Sequence, residues 1–168
     1  MAEFSRPLVL DLVPREGRRE ALSATDAERR ALAGRLGIPS VEQLEAELVV
    51  RPDAAGGILV EGRLRAAVVQ NCVVTLEPVP ERIDEAVDWR VPPPGMTAEE
   101  AFGEVEADGP EDVEAENGVL DLGEALAQQL ALALDPYPRA PGAELDPRVA
   151  GDGQGGAFGA LGKLRRPD

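Results

Sequence analysis

From Ile58 to Val68 the side chains alternate with a period of two. Ile58, Val60, Leu64, Ala66 and Val68 share one parity, and Glu61, Arg63 and Arg65 share the other. Only a β-strand sends successive side chains to opposite faces, so the chain must build a sheet with one buried and one wet face. Cys72, Val74 and Leu76 continue the apolar parity. A second run, Ile83 to Val91, sets Ile83, Val87, Trp89 and Val91 against Arg82, Asp84, Asp88 and Arg90. Two or three antiparallel neighbours are expected.

An apolar sheet face needs a cover, and the sequence offers two helices for it. Asp121 suits an N-cap, with Glu124 three residues on. Leu122, Leu126, Leu130 and Leu134 then recur on one face, flanked by Ala125, Leu132 and Ala133. This helix must end by Asp135, because the residue before Pro136 avoids the α region. An earlier helix starts near Thr25, where Thr25-Asp26-Ala27-Glu28 has capping-box spacing, and stops before Gly37.

Pro7 to Pro14 reads as a first strand with Leu8, Leu10 and Leu12 on one face. Ser40 caps a short turn, Val41 to Leu44, leading into a strand that ends near Arg51. Pro52 to Gly57 is a turn cluster, and Pro92-Pro93-Pro94-Gly95 stops the sheet. The expected fold is α+β: an antiparallel-rich sheet packed against two main helices. Residues 1–138 form the domain. Within it, 96–118 is a mobile acidic excursion with Met96, Phe102, Val105 and Val113 as its sizeable apolar anchors. Residues 139–168 are a Gly/Pro-rich flexible tail, and its motif at 157–166 is either a docked turn or a frayed end.

Apolar residues make up 43% of the 168 and aromatics 3%, so aliphatic side chains and alanine must fill the core. Cys72 is the only cysteine, which rules out an internal disulfide. No run approaches the roughly 18 apolar residues of a membrane span, and no signal peptide is readable; a cytoplasmic protein is expected. The net charge of −15 is uneven. Residues 91–138 carry twelve acidic side chains and no Lys or Arg, whereas 139–168 carry five basic and four acidic ones. Such a block repels phosphates and attracts basic partners, or serves solubility alone.

The chain contains no histidine. That removes Ser-His-Asp and Cys-His nucleophiles, histidine bases and most zinc sites. Lys163 is the only lysine and no phosphate-binding glycine motif occurs, which argues against Schiff-base and P-loop chemistry. Carboxylates are plentiful, but Glu99, Glu100, Glu104 and Glu106 read as solvated, leaving a magnesium site only formally open. No catalytic residue, metal, cofactor or small-molecule substrate is assigned. Cys72 is expected to be a buried core thiol, with no lowered pKa and little reactivity.

The stretch Gly62 to Ala66 through Cys72-Val73-Val74-Thr75-Leu76-Glu77-Pro78-Val79 resembles the core motif of the YceD family of bacterial and plastid proteins, a strand followed by Cys-x-Arg-Cys-Leu-x-Pro-Val. Asp121 to Leu132, running on into Leu134-Asp135-Pro136-Tyr137-Pro138, is similar to the family's second block and contains Leu130. Phe158-Gly159-Ala160-Leu161 with Leu164 is similar to its closing block. Val74 stands where Arg is usual and Thr75 where a second cysteine is usual. Only Cys72, Leu76, Glu77 and Pro78 are therefore carried over from the first block, without a metal or redox role.

The resemblance implies no enzymatic activity and a part in synthesis, processing or stability of large-subunit ribosomal RNA. Expected partners are a basic ribosomal protein, large-subunit rRNA, or both. RNA could meet Arg63 and Arg65 on the strand face, or Lys163, Arg165 and Arg166 in the tail. Two other classes compete: an acidic chaperone or decoy for basic proteins unrelated to ribosomes, and a carboxylate-dependent hydrolase.

Overall fold

The computed structural model describes residues 2–144 apart from Val105. The α+β expectation holds. Strands β2 (Arg18–Ser23), β3 (Ser40–Pro52), β4 (Ile58–Asn71), β5 (Pro78–Val91) and β6 (Glu111–Asp112) form one sheet in that order. Its first four strands are antiparallel; β6 joins β5 in parallel, through Trp89↔Glu111 and Arg90↔Asp112. A second, two-stranded sheet pairs β1 (Pro7–Val9) with β7 (Val119–Asp121). Helices α1 (Asp26–Leu36) and α3 (Leu122–Ala133) pack on the main sheet, α1 against β3 and α3 against β4 and β5.

The alternating parity builds the core. Ile58, Val60, Leu64, Ala66 and Val68 are buried beside Ile83, Val87, Trp89 and Val91. Leu32 of α1 and Leu126 and Leu130 of α3 close over them, all fully buried. Each such side chain contributes about 1.5–3 kcal/mol relative to exposure. Leu132, on the far side of α3, is 77% exposed and contributes none of this.

Both helix starts follow their capping chemistry. Thr25 accepts the Glu28 N–H while Glu28 reaches back to the Thr25 N–H, and Gly37 ends α1 in the left-handed conformation at φ +66. Asp121 accepts the N–H groups of Gly123 and Glu124, and the Arg6 N–H at 2.7 Å. The same carboxylate thereby ties the N-terminal segment to α3.

Several expectations need correction. The first strand stops at Val9 because the chain tightens into a 3-10 turn, Leu10–Leu12. That breaks the period of two: Leu8 and Leu10 are buried, but Leu12 is 70% exposed. The turn expected at Val41 to Leu44 is instead part of β3. Val41 and Leu44 are three residues apart yet both buried, because a bulge between Val41 and Gln43 shifts the parity by one. The short strand β2 carried no alternation signal and was not expected.

The acidic stretch 96–118 carries two short elements. Thr97 and Glu100 form a capping box for α2 (Ala98–Phe102), and β6 adds to the sheet edge. Arg90 anchors both: its guanidinium lies 4.9 Å from the Phe102 ring centroid, and its Nε donates to Asp112 Oδ1 at 2.5 Å.

Candidate functional site

The strand expected to continue through Cys72 to Leu76 instead ends at Asn71. Cys72 to Glu77 form the turn between β4 and β5. The Cys72 N–H donates to Glu77 O at 2.8 Å, and the Leu76 N–H donates to Cys72 O at 2.9 Å. Closing this loop puts Leu76 at φ +61, a left-handed conformation uncommon outside glycine and asparagine. Leu76 is consequently 74% exposed rather than inward. Pro78 opens β5 opposite Asn71, a position where its missing N–H is tolerated.

Cys72 is fully buried, as expected for a core residue. Its electrostatics were not expected. The Ala140 N–H foremost, then the Thr75 hydroxyl and N–H, hold the thiol down to about 7, against the opposing effect of burial. The Thr75 N–H lies 3.4 Å from the sulfur. A run of backbone donors around one sulfur stabilises the thiolate, with no cation among the causes that the described residues supply. The sequence did not signal this arrangement: alternation read the segment as strand, and the first donor, Ala140, lies far along the chain; Thr75, in place of a second thiol, contributes two further donors.

The segment that follows α3 meets this turn. The Val73 N–H donates to Pro138 O at 2.9 Å, and buried Gln70 donates to Glu81 at 2.7 Å and to Asp135 O at 3.2 Å. The Cys72 to Val79 block and the Leu134 to Pro138 run, far apart in the chain, are therefore neighbours in space. Leu130 belongs to the hydrophobic core. Phe158 and Leu161 lie outside the described residues, as do Lys163, Arg165 and Arg166. Around the turn Val73, Leu76 and Tyr137 are exposed at 49%, 74% and 71%, an apolar rim that alternation did not predict.

Arg63 and Arg65 are on the open sheet face, among carboxylates. Arg63 Nε donates to Asp84 Oδ1 at 2.8 Å. Arg65 sits in register between Glu45 on β3 and Asp84 on β5. Across α3, Glu111, Glu114 and Glu116 are exposed and take part in no ion pair among the described residues. No group of three metal-ligating side chains occurs among the described residues, and no described helix is long and apolar enough to cross a membrane.

Sheet, helices and turn thus define a small α+β protein whose distinctive parts are a backbone-lined cysteine turn and an acidic flank. The family model described as large ribosomal RNA subunit accumulation protein YceD matches residues 60–157, more than half of the chain, and the chain belongs to that family. The match begins in β4 and includes the cysteine turn and α3. No curated protein and no solved structure matches it.

Proposed function

We propose that this protein is a non-catalytic cytoplasmic factor that supports accumulation of large-subunit ribosomal RNA by holding a basic ribosomal protein. Membership of a family described by large ribosomal RNA subunit accumulation carries the ribosomal part of this reading. The choice of a protein partner over RNA rests on where the charges lie. Glu111, Glu114 and Glu116 present negative charge beside α3 that no ion pair among the described residues compensates, which favours a cationic surface and disfavours phosphate. Of the two strand-face candidates for RNA, Arg63 is bound to Asp84 and Arg65 stands in register between Glu45 and Asp84.

Deleting the gene and measuring the ratio of large- to small-subunit rRNA tests the ribosomal claim; an unchanged ratio would sink it. Capture on the tagged protein at low and high salt tests the partner. Ribosomal proteins should dominate at low salt and be lost as the charges are screened. A captured set of assorted basic proteins would favour the general acidic chaperone instead.

A further inference from the structure

A groove of about 760 Å³ runs between α3 and the segment carrying β6 and β7. That volume falls among those of ligand-binding clefts. Its lining includes buried Trp89 and Leu120, and Leu132 of α3 adds an exposed aliphatic group. The carboxylates of the groove divide into two sets. Asp112 is bound by Arg90, Asp121 by backbone N–H groups, and Glu124 by Arg35 at 2.7 Å. Glu111, Glu114 and Glu116 have no such partner among the described residues. Gln129, which also lines the groove, donates to Ala86 O at 2.8 Å, while its own Oε1 is buried without a donor among the described residues.

We infer that this groove docks a Lys- or Arg-bearing segment of a partner protein, with an aliphatic side chain of that segment against Leu132 and the apolar lining. The inference rests on the reading that the partner is a basic protein, and it assigns that partner a place. The free carboxylates supply attraction and orientation, and the apolar lining supplies contact area that charge alone lacks. A polyanion would meet three uncompensated negative charges. A neutral ligand would leave the carboxylates unused.

Trp89 is the only tryptophan, so emission from the intact chain reports on the groove directly. The probe is an octapeptide of alternating Lys and Leu, titrated into the full chain. Expected is a saturable change in Trp89 emission that weakens with salt. Reversing Glu111, Glu114 and Glu116 to Lys together should weaken binding about tenfold. Reversing Glu16, Glu42 and Glu45, which do not line the groove, should leave it near wild type. Leu132→Ser, a change at an exposed position, should weaken binding at high salt as well, where screened charges contribute little.

Equal losses in the two triple variants would overturn the inference, because the net field and not the groove would then be binding. So would an unchanged Trp89 signal, or a signal given by oligouridylate in place of the peptide. Complementation separates this proposal from the functional one. If the groove variant restores large-subunit rRNA as fully as wild type, the groove is wrong and the ribosomal role stands. If the peptide binds the groove and gene deletion leaves rRNA unchanged, the groove stands and the ribosomal role is wrong.

Discussion

Arg90 donates to both carboxylate oxygens of Asp112, at 2.5 Å from Nε and 3.3 Å from Nη2, and so fastens the acidic segment to the edge of β5. The Arg90 side chain is only 12% exposed, and its guanidinium also lies over Phe102. One cation therefore holds α2 and β6 against the sheet, in a stretch whose own charges repel one another.

Arg90→Gln should loosen that attachment while leaving the main sheet folded. The Val113 N–H, which donates to Arg90 O at 3.0 Å, reads the change. Its hydrogen exchange should quicken by about one order of magnitude, with amides of β3 and β4 unaltered. Unchanged exchange at Val113 would show that backbone pairing alone secures the segment.

Cys72 gives a pH dependence whose sign follows from its surroundings. Its pKa, ordinarily 9.0, is lowered to about 7 in the folded chain, first by the Ala140 N–H and then by Thr75. A lowered pKa adds stability that is fully present above the unfolded value and is lost as pH falls through about 7. The difference in urea midpoint between wild type and Cys72→Ser should thus grow in favour of wild type from pH 6 to pH 9. A constant difference would mean that the donors do not stabilise the thiolate.

At the acid end the group to watch is Glu28. Two hydrogen bonds from Arg6, at 2.7 and 3.0 Å, hold its carboxyl at about 2. This contribution is complete above pH 4.5 and disappears as pH falls through about 2, so Glu28→Gln should cost stability at pH 6 and little at pH 2. Chemical denaturation at the two pH values measures it. Equal costs at both would show that the pairing with Arg6 does not stabilise the carboxylate.

Gly62 sits in the middle of β4, where a Cβ would lie 2.9 Å from Leu48 Cα and would overlap the carbonyl oxygen of Glu47. The obstacle is the backbone of the neighbouring strand and cannot swing aside. Gly62→Ala should destabilise by about 1–3 kcal/mol, read as a lower denaturation midpoint. Gly34→Ala is the matched control: nothing lies within 4 Å of its Cβ, and alanine favours a helix.

Elements with a strong internal period were readable from residues alone. The alternation from Ile58 and from Ile83 became β4 and β5, and the leucine stripe after Asp121 became α3. Strand β2 was not readable, because Leu22 is its one buried side chain and pairing with β3 makes it a strand. The Val41 bulge imitated helical spacing for the same reason: its parity has meaning only against the neighbouring strand.

The cysteine turn divides in the same way. Family membership and the burial of Cys72 followed from the order of residues. The donors around its sulfur did not, since Ala140 lies 68 positions further along the chain. Likewise the excess of carboxylates was visible in composition, but which of them are free was not. Side-chain periodicity and capping are local properties that a sequence carries in itself. Pairing, compensation of charge and the groove beside α3 depend on segments that only the folded chain brings together, and those were decided by tertiary structure.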